Sequence, residues 1–165
     1  MRKIILHHSA ISRKKVFYQT WSINRYHKKL WDMKSELGFY GGYQYTIDPK
    51  GNVVQFRKDN EEGMHTKGYN KGYIGICLQG NFLVEMPTDA QIQSLRGLIR
   101  NDDKVYRHCD LQAERICPCL TKDYVESIFK KDLIKQDKQN NLILESQLNY
   151  LKQTLLNLLR KLSIN

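Results

Sequence analysis

The segment that most restricts the fold is Gly41–Phe56, GGYQYTIDPKGNVVQF. Tyr43, Tyr45 and Ile47 alternate with Gln44 and Thr46, the period of two expected of a strand with one buried face. Asp48-Pro49-Lys50-Gly51 supplies turn chemistry before Val53, Val54 and Phe56, so the segment predicts a β-hairpin. A hairpin needs partners to be stable, and the rest of the chain offers them. KIILHHSA is a β-branched run that predicts a buried strand, and YIGICLQG predicts another. WSINRYHKKLW carries Trp21, Ile23, Tyr26, His27, Leu30 and Trp31 at the spacing of an amphipathic helix. In PTDAQIQSLRGLI, Thr88 is placed as an N-cap and Gln91 completes a capping box, ahead of a buried stripe of Ile92, Leu95 and Ile99. KVYR, just before His108, reads as a last short strand. Strands and helices interleave, so the expected class is α/β, a mixed central β-sheet flanked by helices.

A chain of 165 residues can bury one core without staples and has room for a small appendage. No apolar run is long enough to span a bilayer. The N-terminal apolar run stops at His7, too short for a signal-peptide core, so synthesis in the cytoplasm is expected, with any export supplied by another agent. Four cysteines in that setting favour reduced thiols. The net charge of +10 implies a polyanionic partner: a cell-wall polymer, an anionic membrane surface or nucleic acid. A nucleic-acid partner ranks last, because the aromatics follow core patterns rather than an exposed stacking face.

Beyond Cys119 the composition changes. FKKDLIKQDKQNN is polar and charged, and Leu144, Leu148, Leu151, Leu155, Leu158 and Leu162 then recur in steps of four and three. That is a heptad seam on a C-terminal amphipathic helix. Leu142, Ile143, Leu156 and Leu159 widen its apolar face. The helix can dock on its own domain, join copies into a homo-oligomer, or lie as a cationic helix on a membrane surface. The expected division is a domain over 1–131 and a leucine-rich tail over 132–165.

The chemistry concentrates in RHCDLQAERICPC, Arg107 to Cys119, which holds one histidine and three of the four cysteines in a turn-like stretch. His108, Cys109, Cys117 and Cys119 could form a four-ligand structural zinc knuckle, but there is no Cys-x-x-Cys pair and the spacing fits no common finger. A catalytic site needs three ligands and an open position, with the remainder drawn from His7, His8, His27 or His65. Alternation along the first strand allows only one of His7 and His8 to face such a site. Spacing alone leaves these alternatives open.

Five blocks in order, ILHHSA, INRYHKKLWDMKSELGFYGGYQYTIDPKGNVVQFR, GMHTKGYNKGYIGICLQGNF, TDAQIQSLRGLI and RHCDLQAERICPC, resemble the zinc-dependent N-acetylmuramoyl-L-alanine amidases. That family includes phage lysozyme-like amidases and the peptidoglycan recognition proteins. The resemblance runs from Lys3 to about Tyr124 and excludes the leucine-rich tail. It implies one zinc ion held by His7, His108 and Cys117, with Cys109 and Cys119 as bystanders. It implies a catalytic Tyr43, and it places Arg115 where the phage enzymes carry a lysine. Arginine keeps its charge, so Arg115 can steady an oxyanion but cannot shuttle a proton. His65 is expected to border the cleft as a substrate-binding residue. Gln44 stands where many relatives have histidine, Tyr73 where many have serine, and CPC replaces the commoner CPG. The segment from His108 to Cys117 is longer than in the phage relatives and is expected to be a loop.

The implied function is hydrolysis of the amide between N-acetylmuramic acid and L-alanine in peptidoglycan, as in a phage-type endolysin that reaches the cell wall after release or delivery. The alternative is a non-catalytic peptidoglycan-binding module, or a regulatory one that inhibits a polymerase.

Overall fold

The computed structural model describes residues 1–12 and 19–130, together with 144, 145, 147, 148, 151 and 152. The chain divides into two units, Met1–Tyr124 and Val125–Asn165. The first is built on five strands: β1 (Lys3–His8), β2 (Tyr45–Ile47), β3 (Val53–Gln55), β4 (Ile74–Leu78) and β5 (Lys104–Arg107). Their spatial order is β3-β2-β4-β1-β5. β2, β4, β1 and β5 run parallel, and β3 lies antiparallel to β2, so the sheet is mixed as expected. Helices α1 (Gln19–Trp31), α2 (Asp89–Leu98) and the short α3 (His108–Leu111) complete this unit.

β1 is flanked by β4 and β5, and its Ile4, Ile5 and Leu6 are fully buried. A continuous apolar run is what a parallel strand covered on both faces needs. The hairpin turns where the sequence requires it. The Asp48 carbonyl accepts from the Gly51 N–H at 2.9 Å, and Asp48 Oδ1 accepts from the N–H groups of Lys50 and Asn52. Gly51 takes φ +85°, a conformation that costs glycine least. β2 is shorter than the alternation predicts. The Gly75 N–H goes to Gln44 Oε1 at 2.7 Å rather than to a β2 carbonyl, which ends the ladder and leaves Tyr43 in a bend before the strand.

α2 forms with its capping box, Gln91 N–H to Thr88 Oγ1 and Thr88 N–H to Gln91 Oε1, both at 3.1 Å. Ile99 is the C-cap and only half-buried; the third buried position is Gln91 itself, whose Nε2 donates to the carbonyls of Ile47 and Gln79. Those two bonds make a buried amide tolerable. α1 buries a narrower face than the pattern suggested. Ile23 and His27 are inside, whereas Trp21, Tyr26, Leu30 and Trp31 remain exposed. Polar anchors fix that rotation: Asn24 Oδ1 accepts from the N–H groups of Tyr40 and Gly41, and Thr20 Oγ1 accepts from Gln79 Nε2.

A further helix, α4, covers 122–130, opened by Thr121 Oγ1 accepting from the Tyr124 N–H. In the tail, Leu144, Leu148 and Leu151 are helical and 61%, 52% and 63% exposed. Leu142, Ile143, Leu155, Leu156, Leu158, Leu159 and Leu162 lie outside the described residues. No helix among the described residues is long and apolar enough to cross a membrane.

Candidate metal centre

In the pairing of β1 with β5, Leu6 stands opposite Arg107. One step further along each chain come His7 and His108, so strand register brings two imidazoles together, with ring centroids 4.6 Å apart. They meet at the carboxyl ends of parallel strands, where open α/β sheets place their sites. Alternation sends His8 to the other face, where its Nδ1 accepts from the Phe82 N–H at 3.1 Å. After β5 the chain does not enter a loop directly. Asp110 reaches back to the Arg107 N–H at 2.8 Å and caps a turn of helix that starts at His108. The chain then returns to the site. The Cys117 carbonyl accepts from the Cys109 N–H at 2.9 Å, and Cys117 Sγ accepts from the His8 N–H at 3.4 Å. His7, His108 and Cys117 each offer one donor atom, and the three atoms lie within 4.8 Å of one another.

The surroundings keep these groups uncharged. Burial pushes the Cys117 thiol up to about 12, against the opposing pull of the His8 N–H. Burial lowers His7 well below its ordinary value, assisted by His65 and His108. It lowers His108 too, with the Gln112 hydrogen bond acting the other way and Arg115 adding to the drop. Neutral imidazoles are ready ligands, and a buried thiol surrenders its proton to a metal rather than to solvent. Two such nitrogens and one sulfur are a donor set that suits zinc.

Ring orientation fits the same use. His7 Nδ1 faces Cys117 Sγ at 3.8 Å, while its Nε2 faces His65 Nδ1 at 3.2 Å. His108 Nε2 lies 2.7 Å from Gln112 Oε1, which leaves Nδ1 for the shared centre. Each imidazole thus turns one nitrogen inward and hands the other to an outer partner, the arrangement common to metal-ligating histidines.

His65 lines the cleft beside the triad and stands behind His7. Its ring fills a niche over two glycines; a Cβ on Gly63 or Gly75 would come within 2.5 or 2.6 Å of it. Burial, then the electrostatic influence of the neighbouring His108, brings its pKa down to about 3. Among the described residues, His65 Nε2 is the one buried side-chain nitrogen or oxygen without a hydrogen-bond partner. The Tyr43 ring lies 5.1 Å from that of His7 and 5.4 Å from that of His27. Arg115 lines the cleft from the segment after α3, together with Trp31, Met64, Lys67 and Asn70. The cleft has a volume of about 310 Å³.

Comparison with known proteins follows the same line. Residues 1–120 match the family model described as N-acetylmuramoyl-L-alanine amidase. The chain belongs to that family. It is similar to the endolysin of Escherichia phage T7, 32% identical over 108 residues, covering 59% of this chain and 70% of the phage protein. It is also similar to the solved structure of the N-acetylmuramoyl-L-alanine amidase LysC from Clostridium intestinale URNW, with a TM-score of 0.62, 29% identity, and 79% and 83% of the two chains covered. The bumblebee peptidoglycan recognition protein PGRP-SA superposes with a TM-score of 0.59 at 27% identity, over 72% of this chain and 75% of that one.

Within this amidase fold, Cys77, Cys109 and Cys119 stay outside the triad. All four cysteines are free thiols. Cys77 is fully buried in β4 and packs with Ile23 and Phe56. Cys119 adopts φ +64°, a left-handed backbone conformation that favours glycine. Sequence reasoning missed two residues that touch the triad. Thr66 Oγ1 lies 3.4 Å from His7 Nε2 and 3.0 Å from His65 Nδ1. Gln112 holds His108; it lies four positions after it, a spacing that pairs side chains on a helix.

Proposed function

We propose that this chain is a zinc-dependent N-acetylmuramoyl-L-alanine amidase that cleaves the bond between N-acetylmuramic acid and L-alanine in peptidoglycan. The observation that carries the reading is the convergence of His7, His108 and Cys117 within 4.8 Å beside an open cleft. A zinc ion held by these three residues would supply Lewis acidity, polarising the scissile carbonyl and bringing the pKa of water down to about 7. The Arg115 guanidinium steadies the negative charge that develops on the carbonyl oxygen. Tyr43, a neutral phenol beside His7, donates a hydrogen bond to the reacting oxygens. His65 borders the substrate and orients His7. Lys67 and Arg115 give the cleft wall two cations, which suits a stem peptide bearing carboxylates.

The catalytic domain extends over 1–131, and the tail over 132–165 supplies self-association or contact with a membrane surface. The protein acts on the cell wall after release or delivery, as a phage-type endolysin does.

The test is mass spectrometry of fragments released from purified sacculi, with and without a zinc chelator. Stem peptides beginning at L-alanine should appear, vanish on chelation and return with zinc. No release by folded, zinc-loaded protein would overturn the enzyme reading in favour of a non-catalytic binding or regulatory module.

A further inference from the structure

Gln112 stands one helical turn after His108, and its side-chain amide has two partners. Its Nε2 donates to the Lys67 carbonyl at 3.2 Å, and its Oε1 lies 2.7 Å from His108 Nε2. The chemistry of these groups admits one proton arrangement. A backbone carbonyl only accepts, so the amide nitrogen must face Lys67 and the amide oxygen must face His108. An amide oxygen also only accepts, so His108 Nε2 carries the ring proton and the lone pair of the neutral ring resides on Nδ1.

We propose that Gln112 is a positioning residue for the metal centre, fixing His108 in the Nε2–H tautomer with Nδ1 presented to the ion. The proposal rests on the reading of His7, His108 and Cys117 as zinc ligands. It adds the group that selects which nitrogen of His108 binds, and it gives that group a second task. Through the Lys67 carbonyl the same amide ties the His108 turn to the loop that carries Lys67, and both Lys67 and Arg115 line the cleft. One side chain therefore holds a ligand ring and the cleft rim in fixed relation. His108 is buried at the start of a four-residue helix, a short element that holds a ring poorly by itself.

Two measurements on the full chain test this. Long-range proton–nitrogen NMR of the metal-free, 15N-labelled protein near neutral pH reads the tautomer of His108 directly, with the ring signals assigned against His108→Gln. Zinc affinity, by competition with a chromogenic chelator, is then compared among the wild type, Gln112→Met and Gln112→Glu. We expect an Nε2–H tautomer in the wild type. Gln112→Met, of similar length but without an acceptor, should bind zinc about 10–100-fold more weakly. Gln112→Glu, which still accepts from His108, should remain close to the wild type. A purely structural role would weaken both variants alike through the lost Lys67 bond. An Nδ1–H tautomer in the wild type, or full zinc affinity in Gln112→Met, would overturn the proposal. If the wild type itself takes up no zinc, the metal reading has failed and the proposal goes with it, whatever the variants do.

Discussion

Substituting Gly75 by alanine tests the link between the sheet and the metal centre. Gly75, in β4, pairs with Ile5 of β1, and Gln44 engages both its N–H and its carbonyl. Alanine adopts strand backbone freely, so the consequence comes from the added methyl alone. That methyl would sit 2.6 Å from Cδ2, 2.7 Å from Cγ and 2.8 Å from Nε2 of His65. Carbon contacts settle at about 3.5–4.0 Å, so the imidazole must retreat by roughly 1 Å. Gly63 blocks an easy retreat, because the same ring already fills the space a Cβ there would need. His65 Nδ1 is 3.2 Å from His7 Nε2, and a shift of that size away from His7 takes the pair beyond hydrogen-bond reach. Overpacking of this kind costs about 1–3 kcal/mol of stability, and a misplacement of about 1 Å costs about 10²-fold in rate. Urea unfolding of Gly75→Ala should show a lower midpoint at unchanged slope. Release of stem peptides from sacculi should fall by about two orders of magnitude. Removing the ring as well, in Gly75→Ala with His65→Ala, should destabilise less than the sum of the single changes, because the clash is gone; hydrolysis should stay low. Wild-type stability and turnover in Gly75→Ala would refute the reasoning.

Four further outcomes are expected. Cys117→Ser should keep the fold by circular dichroism while losing more than about 100-fold in zinc affinity, since even outer-partner changes cost 10–100-fold; full activity in this variant would show that the ligand is another residue. Arg115→Ala should lower turnover by about 10²–10³-fold, the usual loss for one oxyanion donor, with Arg115→Lys recovering most of it; equal rates for all three would remove Arg115 from the chemistry. His27 is held at about 4 by burial and then by Arg57, and its Nδ1 accepts from the Gly42 N–H. A base whose folded pKa lies below its unfolded value gives stability that is complete above about 6.5 and lost as pH falls toward 4, here at most about 3 kcal/mol. Urea melts at neutral and acid pH should therefore show a shallower acid loss in His27→Asn than in the wild type, and equal losses would remove His27 as the cause. Light scattering should give the full chain a multiple of its 19.5 kDa monomer mass and a chain ending at Lys131 only its own monomer mass, and monomer masses for both would leave the leucine seam without a role in self-association.

Most of the fold could be read locally. β1, the Asp48–Gly51 turn and the Thr88–Gln91 capping box each depend on neighbours within a few residues, so their chemistry is written in short stretches. Local pattern misled where tertiary partners overrode it. α1 carries six residues of a plausible apolar face but buries only Ile23 and His27 of them, because Asn24 and Thr20 bind distant loops and set the rotation. β2 starts later than the alternation predicts because a side chain, Gln44, takes a bond that backbone would otherwise make.

For the site, the sequence by itself supplied the candidate ligands and the rule that His7 and His8 cannot serve together, since side-chain alternation is a property of any strand. It also supplied the residue types, two imidazoles and a thiol, that decide which metal chemistry is possible. Only the tertiary structure decided that His7, His108 and Cys117 meet, because they come from separate parts of the chain and are joined by the pairing of β1 with β5 and by the return after α3. It alone placed His65 on Gly63 and Gly75 and closed Gln112 onto both His108 and Lys67. Those contacts depend on register and close approach between distant segments, which no local pattern of residues encodes.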